Sequence, residues 1–564
     1  MVVLALTTVA YLATLQFQFV YDDGAQIVGN QLIEYWHYVP FYFHIQVWAH
    51  VNPHQAGNYY RPIFMLWMRL NDALFGFHPW GWHLTTVLMH VLATFFVFKL
   101  ARRLSGRDDI GLITALVFGL HPVHIEAVAW VSGVTEALFA VLLIWSFLCF
   151  LDWREDRPNA RAYSLLLYAL AIFSKETAVL MMPLVFAYAW LYPGEERPPI
   201  LKRFWNSLRS AIPYLGVTLI YLYFRSLALN GLMHVVGRLD PRTNLLTIPS
   251  VLWFYLKMLF VPVGLSGFYD TPYVTSPSFH QFWLPLLGIG LFAAALFYWW
   301  WKTREPLIAF ASVLLVLPLI PLMNFSVFFQ GEIAHDRYLY TPSIGFALLA
   351  AMAIVKLARK IGAPRISPSL AEGRVSALIA GSIALIFLVL TISQSLYWAD
   401  NLVLYSRGVN IAPKNNLALN NLANEFANRH MYPQAIALYG KVLERDPTFY
   451  LANYNLGYTS YQSGDYQTGE HFLRRAAALD PTDAGTFYYL AKCEMQLGQL
   501  DAAETNLHRA ILVDQRLLGP RYTLGVLLKQ EGRTKEALDY FRAELVKNPN
   551  DADARKQLEE LQGK

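Results

Sequence analysis

Two carboxylates stand side by side at Asp22 and Asp23 in the stretch FVYDDGAQIVGN, directly after an uncharged apolar run over residues 2–20. A pair in such a place either marks where a membrane helix meets water or is set for chemistry at the membrane surface. Four more polar clusters interrupt the apolar first half: NYYRPIF at 58–64, HPVHIEAVAW at 121–130, SKET at 174–177 and GEIAHDRYLYTP at 331–342. They supply the cations Arg61, Lys175 and Arg337 together with His124, Glu126 and His335. His121 and His124 with Glu126 could also ligate a metal, although His-Pro at the end of a helix is more often a stop signal. No HExxH, nucleophile elbow, Walker loop or CxxC pair competes with these clusters.

The elements that must hold them are apolar. The chain has 564 residues, 55% hydrophobic and 15% aromatic, with mean hydropathy +0.33. Apolar stretches of about 18 residues or more argue for membrane-spanning helices. We expect about eleven, near 2–20, 82–101, 110–121, 135–152, 162–174, 177–193, 211–228, 284–301, 305–322, 339–357 and 375–396. The first lacks a basic leader and a small-residue cleavage site, so it reads as a retained helix. Stretch 250–265 fits only as a re-entrant or interfacial segment. The net charge of +5 gives no indication of a nucleic-acid partner, and two cysteines, Cys149 and Cys493, make no disulfide framework.

Basic residues orient the bundle. With the N-terminus cytoplasmic, one face collects Arg102, Arg103, Arg107, Arg154, Arg157, Arg161, Arg197, Lys202, Arg203, Arg209, Lys302, Arg304, Lys356, Arg359, Lys360 and Arg365. The opposite loops are poorer in Lys and Arg, which is the positive-inside asymmetry. All five polar clusters then fall on the outer face, where a shared site is the better reading of them.

After Trp398 the chain turns polar and repeats itself every 34 residues. Pro413, Pro447, Pro481 and Pro549 keep that spacing, with Gln515 replacing one member; Gly464, Gly498 and Gly532 keep it too, as do Ala435, Gly469, Ala503 and Ala537. This is the tetratricopeptide period, in which each helix–turn–helix buries its apolar face only against its neighbours. The expected division is a membrane domain 1–398, a connector 399–414, four repeats 415–550 and a capping helix and tail 551–564. Asn420, Tyr454, Tyr488 and Tyr522 occupy equivalent positions on the first helices, with Asn424, Tyr458 and Lys492 in the next column. These side chains suit a groove for an extended peptide, and also suit packing between helices.

Six segments, FVYDDGAQIV, YYRPIFML, GWHLTTVLMHVLAT, LHPVHIEAVAWVSG, FSKETAV and DRYLYTPSIGFALL, followed by the repeats, resemble the transmembrane and tetratricopeptide-repeat O-mannosyltransferase family of the GT-C class. Two segments depart from the family pattern, LSGFYDTPYVTSP at 265–277 and GVTEAL at 133–138. The small number of repeats is similar to bacterial members. The resemblance implies an all-α fold, a GT-C-like helical membrane domain followed by an α-solenoid. It also implies transfer of a sugar, mannose in the family, from a polyprenyl-phosphate donor to Ser or Thr hydroxyls of extracytoplasmic proteins. In GT-C enzymes the base is an aspartate of the first external loop, which is Asp22 here, with Asp23 orienting it, holding the acceptor or helping to bind a cation. Arg61, Lys175 and Arg337 would stabilise the leaving phosphate, with His124, Glu126 and His335 assisting on sugar or phosphate. The expected partners are the lipid-linked sugar, an extended or unfolded protein in the repeat groove, and the bilayer, with no cofactor certain. The expected location is the bacterial inner membrane, with site and repeats outside. Rival readings are a non-enzymatic membrane-anchored repeat scaffold, a transporter, and a glycosyltransferase acting on a lipid or glycan.

Overall fold

A computed structural model describes residues 1–51, 57–194, 198–234, 239–328, 331–362 and 368–562. Arg197 and Arg365 of the basic loops lie outside them. The chain is all-helical, 79% helix with no strand among the described residues. It divides into Met1–Arg407 and Gly408–Lys564. The division falls inside a helix, Asn401–Ile411, that begins a few residues after Trp398.

Among the described residues of the first unit, seven helices are long and apolar enough to cross a membrane, eight if the bent pair Asp108–Leu120 and Pro122–Ala129 counts as one span. Shorter apolar helices cover Val2–Gln16, Ala160–Ser174 and Glu176–Leu191. The bend of 52° in the pair has a plain cause. Pro122 disfavours helical geometry at His121, which turns extended and closes the helix at Leu120. One close helix crossing depends on glycine: a Cβ on Gly345 of Pro342–Gly362 would lie 2.4 Å from the Ala311 carbonyl of Pro306–Val316.

Residues 250–260 belong to a longer helix, Pro241–Phe260, which passes the length and apolarity test for a span, and 261–265 lie beyond its end. Its surroundings nevertheless take the chain back to where it started. The Thr247 hydroxyl accepts from the Val274 N–H at 2.9 Å, and the Phe254 and Tyr269 rings lie 4.8 Å apart. Residues 261–278 thus return alongside the helix that preceded them. At the turn, the Gln394 amide bonds both Leu265 N–H and the Pro262 carbonyl.

The polar loops gather in two separate sets. Arg103 pairs with Asp152 and Glu155, Arg154 donates to the Tyr192 carbonyl and Arg203 to that of Trp190, so the basic loops meet one another. The five clusters with the carboxylates meet elsewhere, as described below.

The second unit alternates helices in four pairs from Asn416–Asn428 to Thr534–Lys547, then adds Ala552–Gln562. Gly464, Gly498 and Gly532 sit in left-handed turns at φ +86°, +75° and +81°. Their register explains the period, because a Cβ is strained there. In the first pair His430 takes the same position at φ +60°. We expect Gly464→Ala to destabilise the repeats by about 1 kcal/mol, and His430→Ala at the same register to cost less. Denaturant unfolding followed by circular dichroism checks this.

Candidate active site

The local chain fixes the two aspartates differently. Tyr21 stands at φ +56°, with its N–H donating to Asn401 Oδ1 at 2.8 Å, while Gln18 N–H donates to the Ala399 carbonyl at 3.0 Å. This pins the first loop against residues 399–401. Asp23 is then fully buried and occupied: Oδ1 accepts from the Ser132 N–H at 2.9 Å and the Ser132 hydroxyl at 2.6 Å, and Oδ2 from Val20 N–H at 3.2 Å. Asp22, only half-buried, has no such clamp; its backbone carbonyl caps the next turn through Ala25 and Gln26. Burial pushes the Asp22 carboxyl up to about 7, with Glu332 adding to the rise, Arg337 opposing it and Asp23 adding a smaller push. Burial also raises Asp23, to about 6, against the pull of the Ser132 bonds. A carboxylate near 7 beside a clamped neighbour is suited to taking a proton.

The three candidate cations converge around two tyrosines. Arg61 precedes Pro62, the first residue of helix Pro62–Phe75, and lies 4.8 Å over the Tyr59 ring. Arg337, in the short turn Asp336–Leu339, lies 5.2 Å over Tyr338 and 5.3 Å over Trp130. Lys175 interrupts two helices in extended geometry, 6.0 Å from the Tyr338 ring. Each cation has its own carboxylate. Arg61 forms a fork on Glu176 at 2.6 and 3.0 Å. Lys175 pairs with Glu136, the two 8% and 4% exposed. Arg337 binds Glu126 through both its guanidinium and its N–H, the latter at 2.9 Å.

Glu126 is therefore a partner of Arg337, and His335 Nδ1 approaches it at 3.5 Å. His124 engages a different set: its Nε2 is 2.8 Å from the Ser343 hydroxyl, among Phe118, His90 and Tyr340. The Nε2 of His121 faces the Leu259 carbonyl at 3.0 Å. With these atoms engaged, His121, His124 and Glu126 do not form a ligand set, and no group of three or more His, Cys, Asp or Glu could hold a metal among the described residues.

Several participants escaped sequence reasoning. Glu136 and Glu176 lie in GVTEAL and SKET, yet nothing in spacing marks them as the partners of Lys175 and Arg61. Glu332 acts on Asp22 from GEIAHDR, and its Oε1 is buried without a partner. Tyr269, in the divergent segment 265–277, donates to Asp336 Oδ1 at 2.6 Å. Ser132 lies in LHPVHIEAVAWVSG, yet nothing in that segment marks it as the partner of Asp23.

In the repeats, Tyr450, Tyr454 and Tyr458 stack one turn apart with ring centroids 6.2 and 6.3 Å apart. Lys492 lies 5.4 Å over Tyr488 and 5.1 Å over Tyr461. These side chains remain half-exposed. Asn420 is buried and accepts from Asn455 at 3.1 Å, Asn424 accepts from the Tyr439 hydroxyl, and Tyr522 packs on Phe541. The two asparagines thus bond across helices, while Tyr522 stays half-exposed like Tyr454, Tyr458 and Tyr488.

Removing one member of a buried ion pair strands the other. Lys175→Met should destabilise the first unit by about 3–5 kcal/mol, and Lys175→Met/Glu136→Leu should recover most of that loss. Thermal unfolding of the purified variants in detergent checks this, and an equally unstable double variant would deny that pairing is the constraint.

Residues 60–227 match the family described as dolichyl-phosphate-mannose-protein mannosyltransferase. Residues 488–552 match a tetratricopeptide-repeat family, and 428–510 match anaphase-promoting complex, cyclosome, subunit 3. Among curated proteins, the chain is 24% identical over 463 residues to protein O-mannosyl-transferase F38B6.6 of Caenorhabditis elegans, covering 80% of this chain and 63% of that one. It is 24% identical over 539 residues to protein O-mannosyl-transferase TMTC2 of Mus musculus, covering 80% and 62%. It is 31% identical over 292 residues to protein O-mannosyl-transferase Tmtc2 of Drosophila melanogaster, covering 48% and 31%. The chain spans less than two thirds of the length of these relatives. With a match in each half, in the order in which the sequence carries them, these similarities support the family of transmembrane and tetratricopeptide-repeat proteins whose curated members bear the name protein O-mannosyl-transferase.

Proposed function

We propose that the chain is an integral-membrane glycosyltransferase. In this reading it moves a sugar, mannose by the naming of its relatives, from a polyprenyl-phosphate donor to a Ser or Thr hydroxyl of an extracytoplasmic protein. The observation that carries the reading is the difference between the two aspartates. Asp23 is clamped by Ser132, while Asp22 is free of that clamp and raised to about 7, in the field of Arg337.

The chemistry follows from that pair. An alcohol is a poor nucleophile until a base accepts its proton as the new bond forms. Asp22 takes that proton while the hydroxyl oxygen bonds to the sugar C1. The bond from C1 to the phosphate oxygen breaks on the opposite side, so the anomeric centre inverts. The departing lipid phosphate gains charge, and Arg61, Lys175 and Arg337 are the cations gathered to meet it. Their carboxylate partners keep them buried and ready between turnovers. Asp23 is a positioning residue, holding the loop through Ser132. The half-exposed Tyr454, Tyr458, Tyr488 and Lys492 offer ring faces and a cation to an extended acceptor, and tethering such a groove to the enzyme raises the local concentration of acceptor.

Transfer of label from radiolabelled polyprenyl-phosphate mannose in membranes tests the proposal. The intact protein should label a protein fraction, and Asp22→Asn should cut the rate by about 10²–10⁴-fold. Because the raised carboxyl must be ionised to act, the rate should climb as pH rises through about 7 and level off above it. Label entering only lipid or glycan would keep the enzyme and replace the acceptor. No transfer by a folded protein would favour a membrane-anchored scaffold.

A further inference from the structure

At the end of the bundle where the basic loops meet lies a cavity of about 860 Å³ that the glycosyl-transfer reading does not use. Four arginines at the ends of four helices line it, Arg103, Arg154, Arg203 and Arg304, with Glu155 the one acid among the described lining residues. Arg103 is neutralised in place, 2.5 Å from Glu155 and 3.4 Å from Asp152. The other three are not. Arg154 donates to the Tyr192 carbonyl and lies 5.9 Å over the Tyr188 ring, Arg203 donates to the Trp190 carbonyl and lies 4.5 Å over its ring, and Arg304 lies 5.6 Å over the Trp300 ring. None of the three has a carboxylate partner among the described residues, unlike Arg61, Lys175 and Arg337 at the other set of loops. A second observation is independent of charge. The hydroxyl of Tyr192, in the cavity wall, is buried and has no hydrogen-bond partner among the described residues. Buried polar groups are ordinarily satisfied, so an orphan hydroxyl in the same wall as three guanidinium groups without a carboxylate partner among the described residues calls for an acceptor.

We propose that this cavity holds the phosphate-bearing headgroup of an anionic phospholipid. Guanidinium forks suit the oxygens of a phosphate, and a tyrosine hydroxyl adds a neutral donor to the same group. Position selects a lipid over a soluble anion. The wall is made of the ends of apolar helices, Thr135–Trp153, Met181–Leu191 and Leu284–Thr303, which is the depth at which headgroups lie. Just beyond it Phe297, Tyr298 and Trp301 are exposed, an apolar outer surface on which acyl chains can lie while the headgroup enters. Basic residues at that depth draw anionic lipids, and the positive-inside asymmetry puts this end at the cytoplasmic leaflet.

Native mass spectrometry of the full-length protein in detergent tests the proposal, with phosphatidylglycerol, phosphatidylcholine and inorganic phosphate as probes. Phosphatidylglycerol should be retained over phosphatidylcholine, and Arg154→Gln/Arg203→Gln/Arg304→Gln should weaken its retention by roughly two orders of magnitude. Tyr192→Phe, which removes one hydroxyl and leaves the packing, should weaken it several-fold, so the test survives misfolding of the triple variant. Equal retention of phosphatidylglycerol by Tyr192→Phe and the triple variant would overturn the proposal. So would an equal loss in Arg157→Gln/Arg161→Gln/Lys356→Gln, which lie outside the cavity wall, because attraction would then be diffuse. Inorganic phosphate bound as tightly as the lipid would assign the site to a soluble anion and overturn the lipid source.

Discussion

A charge cannot be left alone inside an apolar bundle, and most of the site follows from that constraint. Arg61, Lys175 and Arg337 enter low-dielectric surroundings only because Glu176, Glu136 and Glu126 come with them. The cost of desolvating either partner alone exceeds what any single hydrogen bond returns. Each pair joins residues 39 to 211 positions apart, so each also ties one loop to another. The ion pairs are therefore both the reservoir of cations and the fastening that brings distant loops together.

The same rule distinguishes the two aspartates. Asp23 meets it with three donors and becomes part of the scaffold. Asp22 meets it by holding its proton more tightly, which burial and Glu332 both encourage. A group that solves its burial by protonation rather than by bonding remains available for proton transfer. The basic loops meet the constraint in a third way. They sit at helix ends, where Arg154, Arg203 and Arg304 rest on carbonyls and rings.

The repeats answer to a different constraint. Each pair of helices has too little apolar surface to stand alone, so neighbours supply the core, and identical turns recur to keep them in register. Gly464, Gly498 and Gly532 exist for backbone reasons, and His430 takes the same left-handed turn with a side chain. Asn420 and Asn424 lie at the right register for a groove and are nonetheless spent on Asn455 and Tyr439. Position in the repeat locates a residue on a helix; whether its side chain is free depends on the neighbouring pair.

By itself the sequence determined the all-helical class, the change from apolar bundle to solenoid near residue 400, the 34-residue period, and the clustering of candidate groups in five loops. Those properties are local or periodic, written in hydropathy, in Pro and Gly punctuation, and in the asymmetry of Lys and Arg. Only the tertiary structure decided which carboxylate belongs to which cation, that Ser132 locks Asp23 while Asp22 stays unclamped, and that His124 turns to Ser343. It also decided that the helix Pro241–Phe260 is followed by a return along its own side, although its composition permits a span. Pairing across 100 or more residues leaves no local trace, because the energy that selects a partner arises only when both groups lose water together.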